Sequence, residues 1–242
     1  MTTTEMQTNA AAMPVRASGL CKSIDERPIL KGIDLEVGRG RFIALLGANG
    51  AGKSTLLKLL ATLTTPTSGR LELFGMEARG TAAVKVRAKI GLIGHQTMLY
   101  HDLSARENLE FFGALYGVAD VRKRAMHLLE AMGLATRASD AVKAFSRGMM
   151  QRVAIARALM HDPDLLLADE PFAGLDAPSA AVLEKVLRDL HAAGKTIVLA
   201  NHDIGQSLRL AERAVVLRGG KKVIDAGSSE LDERRVLQEM SA

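Results

Sequence analysis

Gly47-Ala48-Asn49-Gly50-Ala51-Gly52-Lys53-Ser54-Thr55 decides the fold. The run fits the spacing G-x-x-x-x-G-K-[S/T], follows the strand-like residues 41–46 and precedes the apolar, helix-compatible residues 56–61. Strand, glycine-rich loop and helix in that order form a phosphate loop. Gly47, Gly50 and Gly52 let the backbone curl around Asn49 so that successive N–H groups face phosphate oxygens, and the new helix adds its positive end. In this pattern Lys53 reaches the β- and γ-phosphates of a nucleoside triphosphate. Ser54, followed by Thr55, brings a hydroxyl to Mg2+.

Working outward, Pro163-Asp164-Leu165-Leu166-Leu167-Ala168-Asp169-Glu170 is an apolar strand ending in two carboxylates. Downstream of a phosphate loop, Asp169 is placed to hold Mg2+ through its water shell, and Glu170 to orient or deprotonate an attacking water. Between the two lies Phe145-Ser146-Arg147-Gly148-Met149-Met150-Gln151-Arg152, running into a helix over 153–160. Ser146 and the Gly148 amide at a helix start offer a second anion site, although in isolation the segment reads as a plain serine cap.

The remaining pattern predicts an α/β fold. Short strands around 18–22, 33–37 and 70–74 alternate in polarity, which suggests an antiparallel lobe leaning on the nucleotide core. Ser104-Ala105-Arg106-Glu107 is a capping box opening a helix closed by Gly117, and a second helix over 121–132 ends at Gly133. Residues 97–150 therefore read as a helical insertion. Strands at 165–168 and 196–200 alternate with helices at 179–193 and 204–211, implying a parallel sheet covered on both faces. A hairpin around Gly219-Gly220 completes a domain spanning 15–228, and a C-terminal helical segment, 229–242, follows.

Composition excludes other classes. Among 242 residues there is one cysteine, Cys21, so neither an internal disulfide nor a cysteine zinc site is expected. No apolar stretch is long enough to span a bilayer, and residues 1–14, lacking a charged head and apolar core, read as a flexible tail rather than a signal peptide. The net charge of +5 could suit nucleic acid or anionic lipid. With no Trp and no aromatic–basic interleaving, no nucleic-acid partner is expected.

Together these motifs resemble the ATP-binding cassette (ABC) ATPase family over nearly all of residues 16–225. The phosphate loop and Asp169-Glu170 match its Walker motifs, and residues 145–149 look like its signature. Gln96 takes the Q-loop position, Ala173-Gly174-Leu175-Asp176 resembles the D-loop, and His202 in Ala200-Asn201-His202-Asp203 corresponds to the switch histidine. The resemblance implies a head-to-tail dimer in which ATP lies between one subunit's phosphate loop and the other's Ser146 and Gly148. It also implies that His202 contacts the γ-phosphate and that Gln96 approaches Mg2+ and the water. Two departures stand out: Ile24 sits where the family stacks adenine on an aromatic ring, and Arg147 and Met149 replace the commoner Gly and Gln. Weaker base stacking and some tolerance of other nucleotides are the expected consequences of Ile24.

Without membrane spans of its own, such a cassette resembles a transporter subunit docked beneath separate membrane proteins on the cytoplasmic face. A soluble ABC machine, or a small-molecule kinase sharing the loop, explains less of the pattern. Residues 94–109 look most like the ATP-binding subunit of the haem exporter of cytochrome c maturation. Drug, lipid and polysaccharide exporters share the Ser-Arg-Gly-Met signature. His95 and His101 are expected at the contact with the membrane partner.

Overall fold

The computed structural model describes residues 13–94 and 96–241. Residues 1–12 of the expected tail, and His95, lie outside the described residues. In the first half of the chain β1 (Val15–Ile24), β2 (Arg27–Val37), β3 (Phe42–Gly47), α1 (Lys53–Leu60), β4 (Ser68–Leu73), β5 (Met76–Glu77), α2 (Ala82–Arg87), β6 (Ile90–Ile93), α3 (Ala105–Leu115) and α4 (Val121–Ala131) follow in order. The second half runs α5 (Arg147–Ala158), β7 (Leu165–Asp169), α6 (Ala177–Ala192), β8 (Thr196–Ala200), α7 (Ile204–Leu210), β9 (Arg213–Arg218), β10 (Lys221–Gly227) and α8 (Glu233–Ser241).

Runs without polar alternation build the central sheet, because a strand covered on both faces needs apolar side chains at every position. Its order is β10-β9-β3-β8-β7-β6. All neighbours are parallel except the β9–β10 hairpin. Alternate residues of one strand point to opposite faces. Ala44, Leu46, Leu166, Ala168, Ile197 and Leu199 join one buried cluster with α3 to α7. Ile43, Leu45, Leu165, Leu167, Val198 and Ala200 join the other, against α1 and a four-stranded antiparallel sheet ordered β2-β1-β4-β5. Truncating any of the buried leucines, Leu45→Ala for example, would cost about 2–5 kcal/mol. The parallel strands matter for function through their ends. Asp169 pairs in register with Ala200, and Ala200 with Leu45, so the loops after β3, β7 and β8 leave the sheet at one edge. Ligands of open α/β sheets bind at that carboxyl edge.

The helical segment between β6 and β7 opens on the expected capping box. The Ser104 amide donates to Glu107 Oε2 at 2.8 Å and the Glu107 amide donates to Ser104 Oγ at 3.2 Å. The Ser104 hydroxyl, which donates to Glu107 Oε2 at 2.6 Å, and the Ser104 amide together hold the Glu107 carboxyl below the usual carboxylate range. Helix α4 closes with Gly133 in the left-handed conformation, which satisfies the last carbonyls without a Cβ penalty.

Several elements differ from the sequence expectation. β1 and β2 are long strands of 10 and 11 residues, joined by a two-residue turn at Asp25-Glu26. Register shifts interrupt the hairpin, so its alternation reads as two short pieces. β6 was not expected, being a four-residue edge strand with Gly91 inside it. Helix α5 starts at Arg147, six residues before the expected Val153, because Ser146 caps it and Gly148 falls in its first turn.

Candidate functional site

The loop after β3 closes on itself through Gly52 and Lys53. Gly52 has φ 106°, and a Cβ there would lie 2.6 Å from Leu30 Cδ2, so the turn that starts α1 demands glycine. Lys53 opens the helix and is only 7% exposed. Its Nζ donates to the carbonyls of Gly47 at 2.7 Å and Ala48 at 3.2 Å. A buried ammonium needs such partners, and incoming phosphate oxygens can replace them at the same place. Residues 49–55 line a cleft of about 310 Å³ together with Ile29 and Glu170.

Around this cleft the sheet edge assembles the carboxylates and the histidine. Ser54 Oγ donates to Asp169 Oδ1 at 3.1 Å, joining the phosphate loop to the end of β7. Glu170, one residue on, has φ 50°, a left-handed conformation that a non-glycine residue holds at a cost of about 1 kcal/mol or more. Its amide donates to the Ala200 carbonyl at 2.9 Å, which locks that geometry onto the end of β8. His202 Nδ1 faces Glu170 Oε2 at 2.6 Å. The Glu170 side chain is 22% exposed and the His202 ring 68%, so the pair sits at the mouth of the cleft. Gln96 is exposed and shares a second cavity of about 360 Å³ with Ser54 and Asp169.

The other expected anion site lies elsewhere. Ser146 is exposed, and its Oγ accepts from the Met149 amide at 3.3 Å as the cap of α5. Gly148 packs on the start of α6, where a Cβ would meet Ser179 Oγ at 3.1 Å. Asp176 in turn caps α6 by accepting from the Ser179 amide at 3.0 Å, and the Ser179 hydroxyl and amide together hold its carboxyl below the ordinary value. Neither Ser146 nor Gly148 lines the cleft of Lys53 or the cavity of Gln96. One chain thus carries the donor set of a phosphate loop and an exposed helix start, whose Arg147, Met150 and Gln151 share a smaller cavity with Glu170.

Two further features escape sequence reasoning. Ile29, rather than Ile24, lines the cleft beside the phosphate loop, while Ile24 ends β1 with 49% exposure. Asn201 is buried at 1% exposure and bonded to Gln206 on α7, which bonds to Glu184 on α6. A buried asparagine directly before His202 is the one signal that could have pointed there.

The donor set fits Mg2+. Ser54 Oγ and Asp169 offer hard oxygens side by side, and the described residues contain no cluster of three or more acidic, histidine or cysteine side chains that could cage a metal alone. A cation held by one carboxylate and one hydroxyl must take its other ligands from water and phosphate, as Mg2+ does at nucleotide sites.

Comparison with known proteins adds the family. Residues 30–173 match the family model described as ABC transporter. The chain is 38% identical over 215 residues to the Nod factor export ATP-binding protein I of Ralstonia nicotianae, covering 88% of this chain and 67% of that protein. It is 34% identical over 222 residues to the linearmycin resistance ATP-binding protein LnrL of Bacillus subtilis, covering 91% and 71%. Among solved structures, the ATP-binding cassette MJ0796, dimeric in a post-hydrolysis state with ADP and Pi, superposes with a TM-score of 0.82 at 30% identity, covering 88% of this chain and 98% of that one. The phosphate loop, the sheet-edge carboxylates and these matches agree: the chain belongs to the ABC transporter family, as an ATP-binding cassette with ATPase activity.

Proposed function

We propose that this cassette powers an exporter, hydrolysing ATP as one of a pair of copies docked beneath membrane-embedded subunits on the cytoplasmic face. The observation that carries it is that Ser146 and Gly148 line neither the cleft of Lys53 nor the cavity that Ser54 and Asp169 share with Gln96. A triphosphate on the phosphate loop of one copy finds its second set of donors on the other copy. No helix among the described residues is long and apolar enough to cross a membrane, so the translocation path falls to partner subunits.

Within this reading Lys53 exchanges its two carbonyl partners for β- and γ-phosphate oxygens, and the amides of residues 50–55 cradle the β-phosphate. Ser54 and Asp169 would hold Mg2+, with Gln96 beside the same ion, and when bound the ion would supply charge neutralisation for phosphoryl transfer. Glu170 accepts the proton of the attacking water, and its left-handed backbone aims the carboxylate at the cleft. His202 orients Glu170 and donates toward the γ-phosphate as charge develops. Ser146 and the Gly148 amide close the site from the second copy, and loss of the γ-phosphate releases them.

For cargo, the names of the two relatives, Nod factor export and linearmycin resistance, favour the drug, lipid or polysaccharide class. A haem cargo finds support in the likeness of residues 94–109 alone. Steady-state ATPase assays test the site: Glu170→Gln keeps ATP affinity and lowers turnover by about 100-fold or more, whereas Lys53→Ala loses nucleotide binding itself. Parental turnover in Glu170→Gln would overturn the role given to Glu170.

A further inference from the structure

Resting on the site described above, we infer that Glu184, Gln206 and Asn201 form a positioning relay that fixes His202 from α6. The His202 ring is 68% exposed, so packing does not hold it. Besides the ring's contact with Glu170, the residue is held through its backbone, whose amide donates to Asn201 Oδ1 at 2.9 Å. Asn201 Nδ2 donates to Gln206 Oε1 at 3.0 Å, and Gln206 Nε2 donates to Glu184 Oε1 at 2.8 Å.

The direction of this chain is determined at both ends. A backbone N–H can only donate, so the oxygen of Asn201 must face His202 and its NH2 group must face Gln206. An ionised carboxylate can only accept, so Gln206 must turn its NH2 group to Glu184 and its oxygen to Asn201. Both amides thereby have a single orientation. Gln206 is itself anchored, because its own amide donates to the α7 cap Asp203 at 2.8 Å. Asn201 is 1% exposed, which makes an unpaired amide there costly and the network strongly orienting. Glu184 lies on α6, whose Ser179 sits close to Gly148 of α5. None of the three relay residues lines the phosphate cleft. Their effect on catalysis runs through His202 and, across the 2.6 Å contact, through Glu170.

The test uses the full chain, with ATP and Mg2+, and measures both kinetics and amide exchange. Gln206→Leu should lower kcat about tenfold with KM for ATP changed less than about twofold, the signature of a misplaced catalytic group. In a His202→Ala background the same substitution should change kcat less than about twofold, since non-additivity marks residues that act through one another. Glu184→Leu, on a more tolerant helix face, should reproduce the loss, and Glu184→Gln should recover most of it. Independently of turnover, NMR hydrogen exchange at the His202 amide should speed up about tenfold in Gln206→Leu. Equal losses with and without His202, an unchanged kcat, or a His202 amide exchanging at the parental rate would each overturn the relay. Parental turnover in Glu170→Gln would instead overturn the catalytic assignment and leave the exchange result standing.

Discussion

The two ends of this chain proposed to bind anions differ in how they are partnered. At the phosphate-loop end every charged group already has a companion from its own chain: Lys53 with two carbonyls, Asp169 with Ser54, Glu170 with His202. At the Ser146 end the helix start is exposed, and its serine serves only as a cap. The first end is preorganised by the edge of a parallel sheet, while the second sits on a helix whose first amides lack acceptors within the helix. A site so complete on one side and so open on the other invites completion by a second molecule.

Mixing variants breaks or sharpens that contrast most strongly. Lys53→Ala and Ser146→Glu should each be nearly inactive alone. Combined in equal amounts they should recover about a quarter of parental ATPase activity, because half of the dimers then hold one intact site. No recovery, measured by phosphate release after co-refolding or co-expression, would mean that the two ends do not meet across copies.

A smaller effect probes how the preorganised end is supported. Gly220, in the β9–β10 turn, has φ 84° and its carbonyl accepts from the Lys31 amide at 2.8 Å. Its amide donates to the Ala51 carbonyl at 3.2 Å, and a Cβ there would lie 2.2 Å from the Ile29 carbonyl. Gly220→Ala should cost about 2 kcal/mol or more of stability and raise KM for ATP. Thermal melting and steady-state kinetics report both; an unchanged melting temperature would show that this joint is slack.

The smallest effect concerns the base. The cleft wall beside the phosphate loop is Ile29, an aliphatic side chain that lacks the stacking contribution of an aromatic ring. KM values for ATP and GTP should therefore agree within about threefold, a difference under about 0.7 kcal/mol. A preference for ATP above about tenfold would show that another group reads adenine.

How much of this was legible in the sequence depended on whether the signal was local. Strands β3, β7 and β8 are unbroken apolar runs, and their motifs sit at their ends, so pattern and chemistry pointed the same way. The β1–β2 hairpin was harder, since Gly19 and Gly32 accompany shifts that scramble its period. The early start of α5 was obscured by Gly148, a residue that reads as loop. The link from Asn201 to Glu184 joins positions 17 residues apart whose meeting depends on how α6 and α7 pack, and no local pattern encodes it. The cargo was least legible of all, because the residues of the nucleotide site carry no information about it.

The backbone of Glu170 carries a consequence for how this position can drift. Its left-handed turn suits glycine and asparagine better than glutamate, so thermodynamics alone would reward replacing the carboxylate. A lineage released from the need to turn over nucleotide should lose the acid here early and become sturdier for it. On the role proposed for Glu170, glutamate at this spot is a mark of working machinery, legible in any relative that shares the bend.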